Sequence, residues 1–182
     1  MFRLLMSRLS MVALTLVLAS CTSIPLSTML EFRSFGEEEF LNLQPEHIEA
    51  KIQLDEPARA DVAQTRLAVI LTTEQSVRSY QFPLVLISEQ HIASERGLFS
   101  QKPAKNQYSF KLSDEAVENF RTVQEDVQRN ESMDFEFTVN SSMDELPEHI
   151  DEVRLSLFLK LSEDSEFITM FRNAKLKINR SE

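Results

Sequence analysis

The chain has 182 residues, with 29 acidic and 19 basic side chains and a formal net charge of −10. A body this acidic argues against nucleic acid as a partner and against lying flat on anionic headgroups. With two glycines, Gly36 and Gly97, the chain has no G-x-G-x-x-G or G-K-[ST] loop to cradle a phosphate.

The first twenty residues read as a targeting segment. Arg3 and Arg8 precede an uncharged, mostly apolar run from Leu9 to Ala19, and the small residues Ala19 and Ser20 stand directly before Cys21. The run is about 11 residues long, whereas a membrane-spanning helix needs about 20, so a secretory signal fits better than a span. The end of this segment, Leu18-Ala19-Ser20-Cys21, resembles the lipobox of bacterial lipoproteins. The resemblance implies cleavage before Cys21, a diacylglycerol on its thiol and a third acyl chain on its amino group. One myristoyl chain holds a protein only marginally, at about 0.8 kcal/mol per buried CH₂, so three chains anchor it permanently. The resemblance also implies outer-membrane sorting, because Thr22 rather than Asp follows the cysteine. Cys21 is the single cysteine of the chain, which rules out an internal disulfide.

Removing residues 1–20 takes away two bases and no acid, leaving 17 bases against 29 acids, a net charge of −12. The 162 residues that remain suffice for one domain with its own core. Residues 21–29 read as the lipidated terminus and a short tether, and Thr22 to Thr28 spans at most about 25 Å. Residues 30–182 read as a single β-rich domain.

Leu30 to Phe35 reads as a short strand. It leads into a helical turn capped by Ser34, with Glu37 to Glu39 at its positive end and Phe40 and Leu41 facing inward. From there the hydrophobic period is mostly two. Ile48, Ala50, Ile52 and Leu54 predict a half-buried strand that ends at Asp55-Glu56-Pro57. Arg66 to Thr73 and Tyr80 to Ser88 are apolar on both faces, and Pro83 suggests a sheet edge or a bulge. Residues 93–106 read as a loop, followed by a strand over Tyr108, Phe110 and Leu112.

The helix predicted near 114–128 is the clearest single element. Ser113 caps it, Asp114 and Glu115 fill its first turn, and Ala116, Val117, Phe120, Val123 and Val127 form a stripe that packs on the sheet. Met133 to Val139 and Val153 to Leu161 are further alternating strands, and residues 153–178 form a long antiparallel hairpin. Six to eight antiparallel strands with one inserted helix predict a mainly β fold, an antiparallel β-sandwich of immunoglobulin-like general shape.

The search for chemistry yields little. His47, His91 and His149 lack the spacing of a zinc site. The repeated Pro-Glu-His-Ile at 45–48 and 147–150 would offer two histidines and two glutamates if the two copies met. There is no G-x-S-x-G elbow and no calcium-loop pattern around Glu37 to Glu39 or Glu163 to Glu166. No cofactor pattern occurs. Phe158, on the polar face of its strand, is expected to pack under the helix or a loop, with an interface anchor as the alternative. The expectation is therefore a non-catalytic envelope lipoprotein whose sandwich binds or positions another envelope protein. The alternative is a lipid or apolar-ligand carrier with a pocket between sheet and helix, and an enzyme ranks third.

Overall fold

The structure, a computed structural model, describes residues 35–96, 101–128, 134–144 and 146–178. Cys21, the signal segment, the tether and the strand expected over Leu30 to Ser34 lie outside these residues. Phe35 itself leads directly into helix α1, Glu37–Leu41. The cap of α1 is Gly36 rather than Ser34. The Gly36 N–H donates to the Glu39 carboxylate at 2.9 Å, and this bond is the main cause of that carboxyl being held below its ordinary pKa.

The strands are β1 Glu49–Asp55, β2 Arg66–Thr72, β3 Val77–Ile92, β4 Glu95–Arg96, β5 Gln101–Lys102, β6 Lys105–Leu112, β7 Asp134–Asn140, β8 Glu152–Lys160 and β9 Ile168–Lys177, with helix α2, Asp114–Val127, between β6 and β7. Seven of them form one antiparallel sheet in the order β7-β2-β3-β6-β1-β8-β9, and β4 pairs with β5. The expectation of a mainly β, antiparallel chain with an inserted helix holds. The two stacked sheets of a sandwich do not appear in this order: the sheet is single, curled and open. The reason is β3, which runs 16 residues, beyond the strand expected over Tyr80 to Ser88 at both ends. Its residues 77–83 pair with β2, and residues 84–92 pair with β6 on the other side. One strand thus serves both halves and turns the sheet instead of ending it.

The core lies on the concave face. Ala50, Ile52 and Leu54 of β1 align with Leu159, Leu157 and Leu155 of β8, and Leu67 and Val69 of β2 align with Val139 and Phe137 of β7. This is the alternation read from the sequence, with every second side chain turned inward. Helix α2 closes the β2–β3 side with Ala116, Phe120, Val123 and Val127 buried. Its cap is as expected, with Ser113 Oγ accepting from Ala116 N–H at 3.1 Å. The Phe120 ring sits 5.2 Å from that of Phe40 and 5.0 Å from that of Phe82. Phe40 in turn stacks on Phe135 at 4.6 Å. Aromatic pairs at these separations contribute about 0.5–1.5 kcal/mol each beyond their area. The far end is closed by residues 58–62 against 141–144, joined by Asp61 N–H to Ser142 O at 2.9 Å and Asp144 N–H to Arg59 O at 3.0 Å.

Candidate interaction surface

The expected chemical residues are scattered. The two Pro-Glu-His-Ile copies open β1 and β8, which are antiparallel neighbours with Glu49 opposite Lys160. They therefore stand at opposite ends of the sheet, about 23 Å apart for a seven-residue strand, and share no metal. His47 faces Glu163 at 3.6 Å, and His91 faces Glu56 at 3.0 Å. Among the described residues, no three His, Cys, Asp or Glu side chains cluster to hold an ion. Cys21 lies outside the described residues.

Phe158 points to the convex face, away from α2, half-buried beside Lys51 on one side and Thr169 on the other. The expected packing under the helix does not occur, since α2 covers the other face. The alternation of β8 puts it there, because Leu157 and Leu159 on either side go to the core.

The inner side chains proposed to line a ligand pocket are themselves core: Leu67, Val69 and Phe82 are buried in the main cluster with Phe120. A groove of about 400 Å³ lies elsewhere, outside α2, lined in part by Leu41, Leu43, Pro45, Arg121 and Gln124. Gln124 ties its floor together. The Gln124 side-chain amide donates to the carbonyls of Phe40, Leu41 and Leu43 at 2.9, 3.3 and 3.0 Å. Arg121 bridges to Glu46 at 3.0 Å. The Glu46 carboxyl is held below its ordinary pKa first by its own backbone N–H and then by Arg121.

The surface that stands out is the crease in β3. Val85, Leu86 and Ile87 are consecutive, apolar and exposed, at 39%, 38% and 50%. Among the described residues, 84–92 have a strand neighbour only on the β6 side. On the open side Leu84 N–H donates to Thr65 O at 3.2 Å, so in an antiparallel ladder Leu86 also presents its backbone outward. A bulge between Leu86 and Ser88 interrupts the alternation, which is why Leu86 and Ile87 are both uncovered. No further backbone bond among the described residues reaches this edge. Pro83 points to an edge or a bulge here, and the bulge follows between Leu86 and Ser88; the exposure of the run is the part not expected, since its apolar residues read as a strand covered on both faces.

Below the crease the concave side turns polar. Arg59 and Glu89 form an ion pair at 2.6 Å, next to Tyr108, which is 1% exposed. The Tyr108 hydroxyl has no hydrogen-bond partner among the described residues. Burial, and secondarily the nearby Glu89 carboxylate, raises its pKa above the ordinary value.

No family model, no curated protein and no solved structure matches this chain.

Proposed function

We propose that this chain is a cell-envelope lipoprotein, held by acylated Cys21, whose β body docks another envelope protein through the open edge of β3. The anchor is supported by Leu18-Ala19-Ser20-Cys21 behind a basic start and a short apolar run. The docking is supported by one observation above all: Val85, Leu86 and Ile87 are exposed together beside an edge that has no strand partner among the described residues. Unpaired backbone and apolar side chains in one place are what a partner strand needs. Backbone bonds give such pairing its affinity, and alternate side chains give it specificity. An exposed apolar edge of this kind tends to pair with another chain.

Carriage of an apolar ligand is the weaker reading, because Leu67, Val69 and Phe82 fill the space such a ligand would take. The short distance from the anchor also suits a fixed docking post. Residues 22–34 separate Cys21 from Phe35, a contour of about 45 Å at most. The test is cross-linking in living cells with wild type and Cys21→Ala, alongside a labelled fatty acid. The expected result is label on wild type alone and one recurrent envelope-protein adduct that Cys21→Ala loses. Absence of the label overturns the anchor, and absence of any recurrent adduct overturns the docking.

A further inference from the structure

The charge of the body is segregated. Helices α1 and α2 with strand β7 carry ten acids and a single base, Arg121. The convex face of β6, β1, β8 and β9 is the reverse. There Lys105 pairs with Asp55 at 3.2 Å and Lys175 with Glu152 at 3.1 Å. That leaves Lys51, Lys111, Arg154, Lys160 and Lys177 against one acid, Glu49, which the ladder places between Lys111 and Lys160. These five bases form no ion pair among the described residues. The five against one make the face about +4 on a chain of net −10.

The face also carries aromatic surface. Lys51 Nζ lies 3.8 Å over the Phe167 ring, and Phe158 stands opposite Lys51. Between the bases run Gln53 and Gln107, joined at 2.8 Å, and Gln90, joined to Gln107 at 3.2 Å. Such a surface is broad and polar, with cationic tips on apolar stems, the pattern of side chains that reach from a protein to a headgroup layer. The acidic turn at its rim, Glu163 to Glu166, directs Glu163 to His47.

We propose that this convex face lies against anionic lipid headgroups of the membrane that holds the chain. The net charge of the whole protein opposes such contact only if the charge is uniform. The acids of α1 and α2 lie across the sheet and its core, beyond the Debye length of about 8 Å at physiological salt, so salt screens their repulsion. The orientation would put β6, β1, β8 and β9 toward the lipid and turn the acidic helices away. The proposal takes from the anchored reading only the nearness of a membrane. The face should bind headgroups without the anchor.

The test uses the chain from residue 21 onward with Cys21→Ala, which retains every described residue. It is mixed with vesicles of phosphatidylcholine alone, or of phosphatidylcholine and phosphatidylglycerol in a two-to-one ratio, and sedimented. The expected result is binding to the anionic vesicles about tenfold or more above the neutral ones, lost on raising salt. Combined Lys51→Glu, Lys111→Glu and Lys160→Glu should abolish it with circular dichroism unchanged, and Arg121→Glu on the acidic side should leave it intact. If the triple reversal does not fold, Lys51→Gln with Lys160→Gln should still weaken binding. Equal binding to both vesicles, no binding, or equal loss with Arg121→Glu overturns the proposal. Retention on immobilised polyglutamate without vesicle binding assigns the face to an acidic polypeptide and overturns it as well. Fatty-acid labelling of Cys21 is read separately, so failure of the anchor and failure of the face are distinguishable.

Discussion

The side-chain nitrogen of Gln124 lies 2.9 Å from the carbonyl oxygen of Phe40, so the middle of α2 holds the end of α1. The same nitrogen reaches Leu41 O and Leu43 O, at and just past the end of the helix, while Phe40 O also accepts from Leu43 N–H at 3.2 Å. Gln124→Ala removes this donor from all three carbonyls at a half-buried site. It should lower the unfolding free energy by about 1–3 kcal/mol, as read by urea denaturation. Unchanged stability would show that water replaces the amide at no cost.

Tyr108 gives a prediction of opposite sign. Its buried hydroxyl lies near the Ala60 backbone and the Glu89 carboxylate but makes no hydrogen bond of good geometry among the described residues, so it offsets little of its desolvation. Tyr108→Phe removes the oxygen and keeps the ring, so it should be neutral or stabilising by about 1 kcal/mol. A loss of stability would reveal a bond that the hydroxyl makes.

The same residue predicts alkaline behaviour. Its native pKa is raised above the ordinary 10.0, so above that pH the unfolded chain loses the proton while the native chain keeps it. Stability is whole below about pH 10. It then declines by at most about 1.4 kcal/mol per pH unit until the native group also ionises. Tyr108→Phe should remove this part of the slope, which denaturation at stepped alkaline pH would show.

Asn173 is the single non-glycine with a left-handed backbone among the described residues, at φ 51°. Its N–H donates to the buried Ser156 Oγ at 3.0 Å, and its side-chain oxygen accepts from Lys105 at 3.0 Å. Asparagine tolerates this conformation, but a β-branched residue does not. Asn173→Val should cost about 2 kcal/mol or more, and Asn173→Gly should cost less because it keeps the backbone bond. The two thermal midpoints check the order.

Local periodicity made the regular elements legible. β1 and β8 alternate because one face is core, and α2 carries both its cap and its stripe within a few residues of itself. What was not legible depends on distance along the chain. Gln124 serves carbonyls more than eighty positions away. The end of β3, Glu89 to His91, is polar on both faces and carries no period, so the strand expected to stop at Ser88 runs on to Ile92. The crease exists because β3 changes partner at Leu84; Pro83 marks the place as an edge or bulge, but the identity of the two partners lies far along the chain. Alternation alone puts Phe158 on the outer face, but Lys51 opposite it comes from β1, and the Phe167 ring under Lys51 comes from the turn before β9. The net charge concealed its own division, since the acids of α1 and α2 and the bases of the convex face add to one number.

The edge of β3 also predicts a disruptive substitution. Leu86→Asp puts a charge where a partner strand would pair, and its side chain is already exposed. It should abolish capture of the partner while changing stability by less than about 0.5 kcal/mol. Partner loss together with unfolding would assign Leu86 to the core instead.

The most direct measurement is site-specific photo-cross-linking in living cells, with the reactive group at Ile87 of the full-length protein and, for comparison, at the exposed Glu118 on α2. The account predicts one discrete envelope-protein adduct from Ile87, absent from Glu118 and lost with Leu86→Asp. The same adducts from both positions, or none from Ile87, would contradict it.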